Sequence, residues 1–270
     1  MPEIFFHVGL GKTASTYLQY AFFPKLKGIS YIQRTRYGQS KNIIRKNPAT
    51  SHFVSREFDQ QLEQECRWFS ADFPDARTII ILRRQDGWVA SQYRRYVKNG
   101  GSLSFRDFFD VAEDKGFWHR KDAEFFPMLQ ILEHYFTHPP LVLFHEDLKK
   151  DPYGFFDAFA TYLGATYDRE EVSLKPIHRS YSEKQLKIIR KVGKYIFSQD
   201  PQWSSNKLIN WIQRRSRLYA CYAILYPSLL IPDFLVSPKP LISAEELQEV
   251  RDFYAADWEA CRAYAGRHKP

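Results

Sequence analysis

The chain predicts a three-layer α/β fold: a central parallel sheet flanked by helices, with a mainly helical last third over about 180–270. Three observations predict it. Short apolar runs alternate with stretches of helical period, the pattern of a parallel sheet covered on both faces. The first such run leads straight into Gly-x-Gly-Lys-Thr and then into a helix. In the last third the strand-like runs give way to helix starts.

The elements follow in order. Glu3–Val8 is a short buried strand bounded by Gly9. Ala14–Phe23 reads as a helix stopped at Pro24, because proline lacks the N–H a helix interior needs. Ile29–Ile32 and His52–Ser55 are short strands. Phe58–Phe69 carries Phe58, Leu62, Cys66 and Phe69 as one helical stripe. Arg77–Leu82, β-branched and short, gives the clearest strand. Asp86–Val97 follows as a helix with Val89, Tyr93 and Tyr96 on one face. Leu141–His145 is a buried strand and Pro152–Leu163 a helix. Ser180-x-x-Glu183 and Ser243-x-x-Glu246 read as capping boxes that start helices. The second opens a helix with Leu247, Val250, Tyr254, Trp258 and Cys261 as its buried stripe. The chain is read as one domain over 1–270.

Ligands of open α/β sheets bind beyond the carboxyl ends of the strands. That rule brings Gly9–Thr16, Arg83–Asp86 and His145–Asp147 to one edge. The first stretch ends like the ATPase phosphate loop, G-x-x-x-x-G-K-[ST], but the first glycine of that motif would fall on Phe6. The loop is therefore shorter. It keeps the physics of an anion cradle. Lys12 brings charge, and the N–H groups of Thr13, Ala14, Ser15 and Thr16 open a helix. Ser15 and Thr16 add hydroxyl donors. Arg83 ends a buried strand, and Ser91 lies about a turn inside the next helix. An Arg fork and a Ser hydroxyl so placed suit one phosphate. Two anion sites on one edge suit a nucleoside phosphorylated at both ends.

Together these stretches resemble the sulfotransferases that use 3′-phosphoadenosine 5′-phosphosulfate (PAPS), whose fold is P-loop-NTPase-like. Gly11 followed by Lys12-Thr13-Ala14-Ser15-Thr16 is similar to that family's 5′-phosphosulfate loop. Arg83 and Ser91 match its Arg and Ser eight apart, which bind the 3′-phosphate. Phe144-His145-Glu146-Asp147-Leu148 with Asp151-Pro152 resembles its Tyr-Glu-Asp-Leu segment, and there Glu146 and Asp147 are expected to be structural. The resemblance covers roughly 3–20, 77–98 and 141–164. Ala14 stands where glycine is commoner, so its φ is expected to be negative.

The resemblance implies transfer of a sulfuryl group from PAPS to an acceptor hydroxyl, in line and without a metal. It implies that Lys12 stabilises the departing nucleotide and that a His or Glu is the base. Glu57, after the strand ending Val54-Ser55, is the expected base, by similarity to a Ser-x-Glu in some bacterial and carbohydrate enzymes. The alternative for Glu57 is a helix N-terminal acid favoured by the dipole. His7 reads first as a packed strand residue, and His119 as either an acceptor-channel or a surface group. Arg179 is assigned to the 3′-phosphate by similarity to family loops that close over it, against a plain interhelix loop.

The net charge is +8, yet Lys and Arg are spread along the chain, with no basic-aromatic RNA motif and no Cys/His finger. This points away from nucleic acid and toward small polyanions, anionic glycans or a membrane face, with an ordinary solvated surface as the alternative. Three widely spaced cysteines make neither a disulfide framework nor a zinc site, and a reducing, cytoplasmic setting is expected. The start Met-Pro-Glu-Ile shows no signal-peptide pattern. The expected acceptor is a hydroxylated small molecule, a glycan or a lipid-linked sugar.

Leu218–Val236 spans 19 residues with one charge, Asp233, after Arg214-Arg215-Ser216-Arg217. Pro227 and Pro232 oppose a membrane span. Two shorter buried segments are the first reading, and a membrane-surface element over 214–236 the second. Two rival functions remain: a P-loop small-molecule kinase using Mg·ATP, and a non-enzymatic protein that binds anionic glycans or membranes.

Overall fold

The computed structural model describes residues 2–175, 181–198 and 201–268. Five strands form one parallel sheet: β1 (Ile4–Gly9), β2 (Ser30–Ile32), β3 (His52–Ser55), β4 (Arg77–Leu82) and β5 (Leu141–Phe144). Their order is β2-β3-β1-β4-β5. Registers such as Phe6↔Val54 and Leu82↔Phe144 fix the ladder. β1 is central. The chain leaves it toward β2 and β3, then returns on its other side as β4. That reversal opens a crevice at the carboxyl ends of β1 and β4.

In chain order the helices are α1 (Ser15–Tyr17), α2 (Ser40–Lys46), α3 (Leu62–Ser70), α4 (Gln85–Lys98), α5 (Phe105–Phe108) and α6 (Phe126–Tyr135). There follow α7 (His145–Lys150), α8 (Pro152–Tyr162), α9 (Glu183–Ile196), α10 (Lys207–Leu225), α11 (Ala244–Phe253) and α12 (Ala255–Arg267). The chain divides into two compact units. The first comprises Met1–Gln85, Asp122–His178 and Tyr254–Pro270; the second comprises Asp86–Lys121 and Arg179–Phe253.

The first unit is the three-layer α/β body. One face of its sheet presents Phe5, Phe53, Ile79, Ile81 and Leu141 to the helical run after β1 and to α8. Phe22 stacks on Phe156 with ring centroids 4.3 Å apart, and Phe23 on Phe159 at 5.0 Å. On the other face Phe6 stacks on Phe69 of α3 at 4.2 Å, with Phe136 beyond α6 at 6.2 Å. Alternate residues of β1 therefore feed opposite layers, as strand geometry requires. The second unit is helical. Tyr93 of α4 is its buried centre, with its hydroxyl donating to Leu103 O and accepting from Arg190 of α9.

Several boundaries differ from the sequence reading, each for a local reason. The run after β1 does not stop at Phe23. It widens into a π turn at Leu18–Phe22 and passes through a 3₁₀ turn, Phe23–Lys25. Pro24 sits at the start of that turn, where a missing N–H breaks no bond. The helix expected from Phe58 begins at Leu62, because the Phe58 N–H donates to Val8 O of β1. His145 starts α7 rather than ending β5. The second-unit helix is capped by Ser182 and Gln185, not by Ser180 and Glu183; Ser180 lies outside the described residues. The Ser243/Glu246 box forms as read, with both reciprocal bonds. Its helix ends at Phe253, and α12 starts anew after Tyr254. The 218–236 stretch is neither a span nor two buried segments. Cys221 and Leu225 are buried, but Leu230 is 86% exposed and Phe234 84% exposed. Among the described residues no helix is long and apolar enough to cross a membrane.

Candidate active site at the carboxyl edge of the sheet

The site is built from the ends of β1, β3, β4 and β5, all in the first unit. Gly9 ends β1 with φ +125°, and a Cβ there would lie 3.1 Å from Phe58 N and 3.2 Å from Phe58 O. Glycine lets the segment after β3 cross directly over the strand end. The Glu57 Cα would lie 3.5 Å from that same Cβ, so Glu57 is carried to the mouth of the loop. Leu10 N–H donates to Ile81 O of β4, pinning the loop's first residue. The buried Thr13 hydroxyl donates to Leu10 O at 2.6 Å and closes the turn from within.

The expectation of a negative φ at Ala14 is overturned. Ala14 has φ +67° and Lys12 φ +69°, both left-handed. An L-residue in this region costs about 1–2 kcal/mol relative to the right-handed one. Such strain persists where surrounding contacts determine the backbone, and left-handed residues within a turn are how concavities of N–H groups form. Ser15, Thr16 and Tyr17 then open the helical run, so their N–H groups have no carbonyl one turn earlier to accept them. Lys12, Ala14 and Thr16 are half-buried, whereas Thr13 and Ser15 are buried. Of the two hydroxyl residues that open the helical run, Thr16 is the partly exposed one and Ser15 the buried one.

Two charged residues brace the loop. The Asp59 carboxylate accepts from Gly11 N–H at 3.1 Å, and a Cβ on Gly11 would press on it at 3.2 Å. From the other side Arg83, leaving β4, donates from Nη1 to Lys12 O at 3.3 Å. β5 contributes the next position. Burial, and then the charges of Arg83 and Lys149, push the His145 imidazole down to about 3, so it is neutral at physiological pH. Glu146 Oε1 accepts from Arg84 N–H at 3.1 Å, and Asp147 pairs with Arg262 at 3.6 Å. Asp147 is thus paired, while Glu146 Oε2 is buried without a hydrogen-bond partner.

Below the mouth lies a polar cluster without a local sequence signature. Ser55 Oγ bonds His7 Nδ1 at 2.9 Å and accepts from Gln19 Nε2 at 3.1 Å. All three residues are buried. His7 Nε2, Gln19 Oε1, the Tyr31 hydroxyl and Glu57 Oε1 are enclosed without a hydrogen-bond partner. Burial holds the His7 imidazole at about 3, and it also raises the Tyr31 phenol. His7 is a neutral core residue rather than an exposed base.

The structure therefore brings Lys12, Thr16, Glu57 and Arg83 to one edge. Ser91 is half-buried on α4 and belongs to the second unit. Arg179 lies outside the described residues. His119 is exposed and faces Asp114 at 3.6 Å within the second unit. Asp59, Gln19 and Tyr31 were not singled out from the sequence, and Ser55 entered only as the Ser of Ser-x-Glu57. Ser55 and Gln19 are 36 residues apart, and nothing in either neighbourhood marks them as partners. Among the described residues no three His, Cys, Asp or Glu side chains are grouped to hold a metal.

No protein-family model matches the chain, and no curated protein does. Solved structures with a similar chain layout include a sulfotransferase from Alicyclobacillus acidocaldarius. It is 16% identical, with a TM-score of 0.49, and the match covers 82% of this chain and 95% of that one. The sulfotransferase domain from the curacin biosynthetic pathway is 12% identical over 95% of this chain and 97% of its own, with a TM-score of 0.43. The mouse sulfotransferase SULT7A1, complexed with PAP, is 11% identical over 99% and 89%, with a TM-score of 0.41. At these levels the likeness does not extend to which residues do what.

Proposed function

We propose that the chain transfers a sulfuryl group from PAPS to a hydroxyl of a carbohydrate or lipid-linked acceptor. One observation carries the reading: two cationic segments remote in sequence, Lys12 after β1 and Arg83 after β4, meet where the Arg83 guanidinium reaches Lys12 O at 3.3 Å. A bisphosphorylated nucleotide needs two cationic groups on one edge, one for each phosphate, beside helix-start N–H groups.

In this reading the 5′-phosphosulfate lies on Gly11, Lys12, Thr13, Ala14, Ser15 and Thr16, and the 3′-phosphate takes Arg83. Ser91 and Arg179 share that phosphate on the strength of the sequence motif alone. PAPS supplies the sulfuryl group and a phosphate leaving group. The acceptor oxygen forms the new S–O bond as the bridging S–O bond breaks, and the bond's electron pair stays on the nucleotide phosphate. Lys12 and the loop amides meet that growing charge. The acceptor proton passes to Glu57, whose enclosed Oε1 has no partner in the fold. Glu57 stands at the loop mouth because Gly9 lets its segment cross. Glu146 holds Arg84 N–H with Oε1, but its Oε2 is buried without a partner, so the acids after β5 do not separate this reading from a kinase; the Mg²⁺ dependence of nucleotide binding does.

Titration calorimetry tests the reading. The chain should bind 3′,5′-adenosine bisphosphate without Mg²⁺. Lys12→Ala should lower transfer from PAPS by about 10²–10³-fold, the typical value of one such donor, with the circular dichroism unchanged. Preference for Mg·ATP would favour the kinase instead. Glycan or membrane binding untouched by Lys12→Ala, with no nucleotide bound, would favour the non-enzymatic alternative.

A further inference from the structure

The second unit carries an apolar face that its own core does not use. On α10, Leu208, Ile212, Arg215 and Tyr219, with Tyr226 at its C-cap, follow at intervals that keep them within about 60° of one another around the helix axis. All five stand exposed, with Trp211 beside them. The buried positions, Cys221 and Leu225, lie on the opposite side. Beyond the helix the chain makes two 3₁₀ turns, Pro227–Leu230 and Asp233–Leu235. These present Leu229, Leu230, Phe234 and Leu235, again exposed.

This tip is fixed from behind. Lys184 of α9 donates to Leu229 O at 3.2 Å and to Ile231 O at 3.0 Å, and pairs with Asp233 at 2.9 Å. Gln185 and Ser228 both donate to Leu225 O, at 2.9 and 2.7 Å. The backbone of the turns is held by polar bonds, while the large side chains point into solvent.

The charge around this face is predominantly positive. From Glu183 through Asp233 there are nine Lys and Arg and three acids, Glu183, Asp200 and Asp233. Lys207, Arg214 and Arg215 are exposed on α10 itself. Arg215 lies 5.6 Å over the Trp211 ring, within the apolar strip rather than apart from it. A second copy of the same basic face would be repelled. An interleaving of Trp, Tyr, Leu and Phe with Arg and Lys is what a headgroup boundary accepts.

We propose that this face, formed by α10 and the turns through Leu235, docks on an anionic bilayer surface. The inference is independent of the nucleotide reading, since none of Lys12, Glu57, Arg83, Ser91 and Arg179 takes part. The test is co-sedimentation of the full chain with phosphatidylcholine vesicles, with and without phosphatidylserine. The chain should sediment with the mixed vesicles, weakly with pure phosphatidylcholine, and less as salt rises. The pair Leu230→Ser and Phe234→Ser should lower partitioning at least about tenfold, because each apolar side chain loses its transfer to the acyl boundary. The pair Arg214→Glu and Arg215→Glu should remove the preference for phosphatidylserine. All four side chains are exposed, so both variants should melt as the parent does. Three results would each overturn the proposal: no binding by the parent chain, binding indifferent to both pairs, or self-association that both pairs abolish.

Discussion

At the carboxyl edge of the first unit's sheet, polar groups are enclosed: His7, Ser55 and Gln19 bond one another out of reach of water. In the second unit the reverse holds, and Leu230 and Phe234 stand almost wholly in solvent. Each departs from the usual partition of side chains, which puts apolar groups inside and polar groups outside. A buried polar cluster is costly unless every member is paired, and here four atoms are not. An exposed apolar patch marks a surface that meets something other than water. The first unit therefore departs from the rule inside, beneath the strand ends. The second departs from it outside, along α10 and the turns that follow it.

The largest expected effect sharpens this contrast through packing. Phe159, fully buried against Phe23 and Phe53, should cost about 3–5 kcal/mol when truncated to Ala. Phe234→Ala should change stability by no more than about 0.5 kcal/mol. Urea unfolding of both variants decides it; similar losses would mean that the second unit packs its apolar tip after all.

The next effect concerns protons. His7 and His145 are held at about 3, below their unfolded value of 6.5. The unfolded chain thus binds more protons between those values. Stability from these groups is complete above pH 6.5 and declines as pH falls through that window, by about 1.4 kcal/mol per pH unit for each histidine. Urea midpoints measured at pH 7.5 and 5.5 should show the slope, and His145→Gln should reduce it. A slope unaltered by that substitution would assign the acid sensitivity elsewhere.

The smallest effect tests the strained loop. Ala14→Gly removes a left-handed Cβ penalty of about 1–2 kcal/mol and adds unfolded-chain freedom of about 0.4–1 kcal/mol. A net gain below about 1 kcal/mol is expected in thermal melting. A clear loss would contradict the positive φ at this position.

The sheet was legible in the sequence where local pattern decides. Arg77–Leu82 and His52–Ser55 have the bounds read from them, because buried parallel strands are continuous apolar runs. The turn after β1 was legible as a turn because Gly9 and Gly11 interrupt the apolar run. Its backbone sign was not: alanine announces no left-handed turn, and the twist at Ala14 is imposed by its surroundings. The start of α3 was misread because Phe58 fits the helical stripe, yet its N–H is taken by Val8 O. The Ser55 cluster was invisible because its members come from separate elements. In 218–236, hydropathy reported what the side chains are but not which side of the surface they occupy.

Asp59 has a consequence for how any anion arrives. Its carboxylate already sits on the Gly11 N–H, so the loop is kept in shape by an internal mimic of the charge it would receive. In the proposed reading, a phosphate entering there would trade places with a resident guest, and its affinity would be the difference between two tenancies.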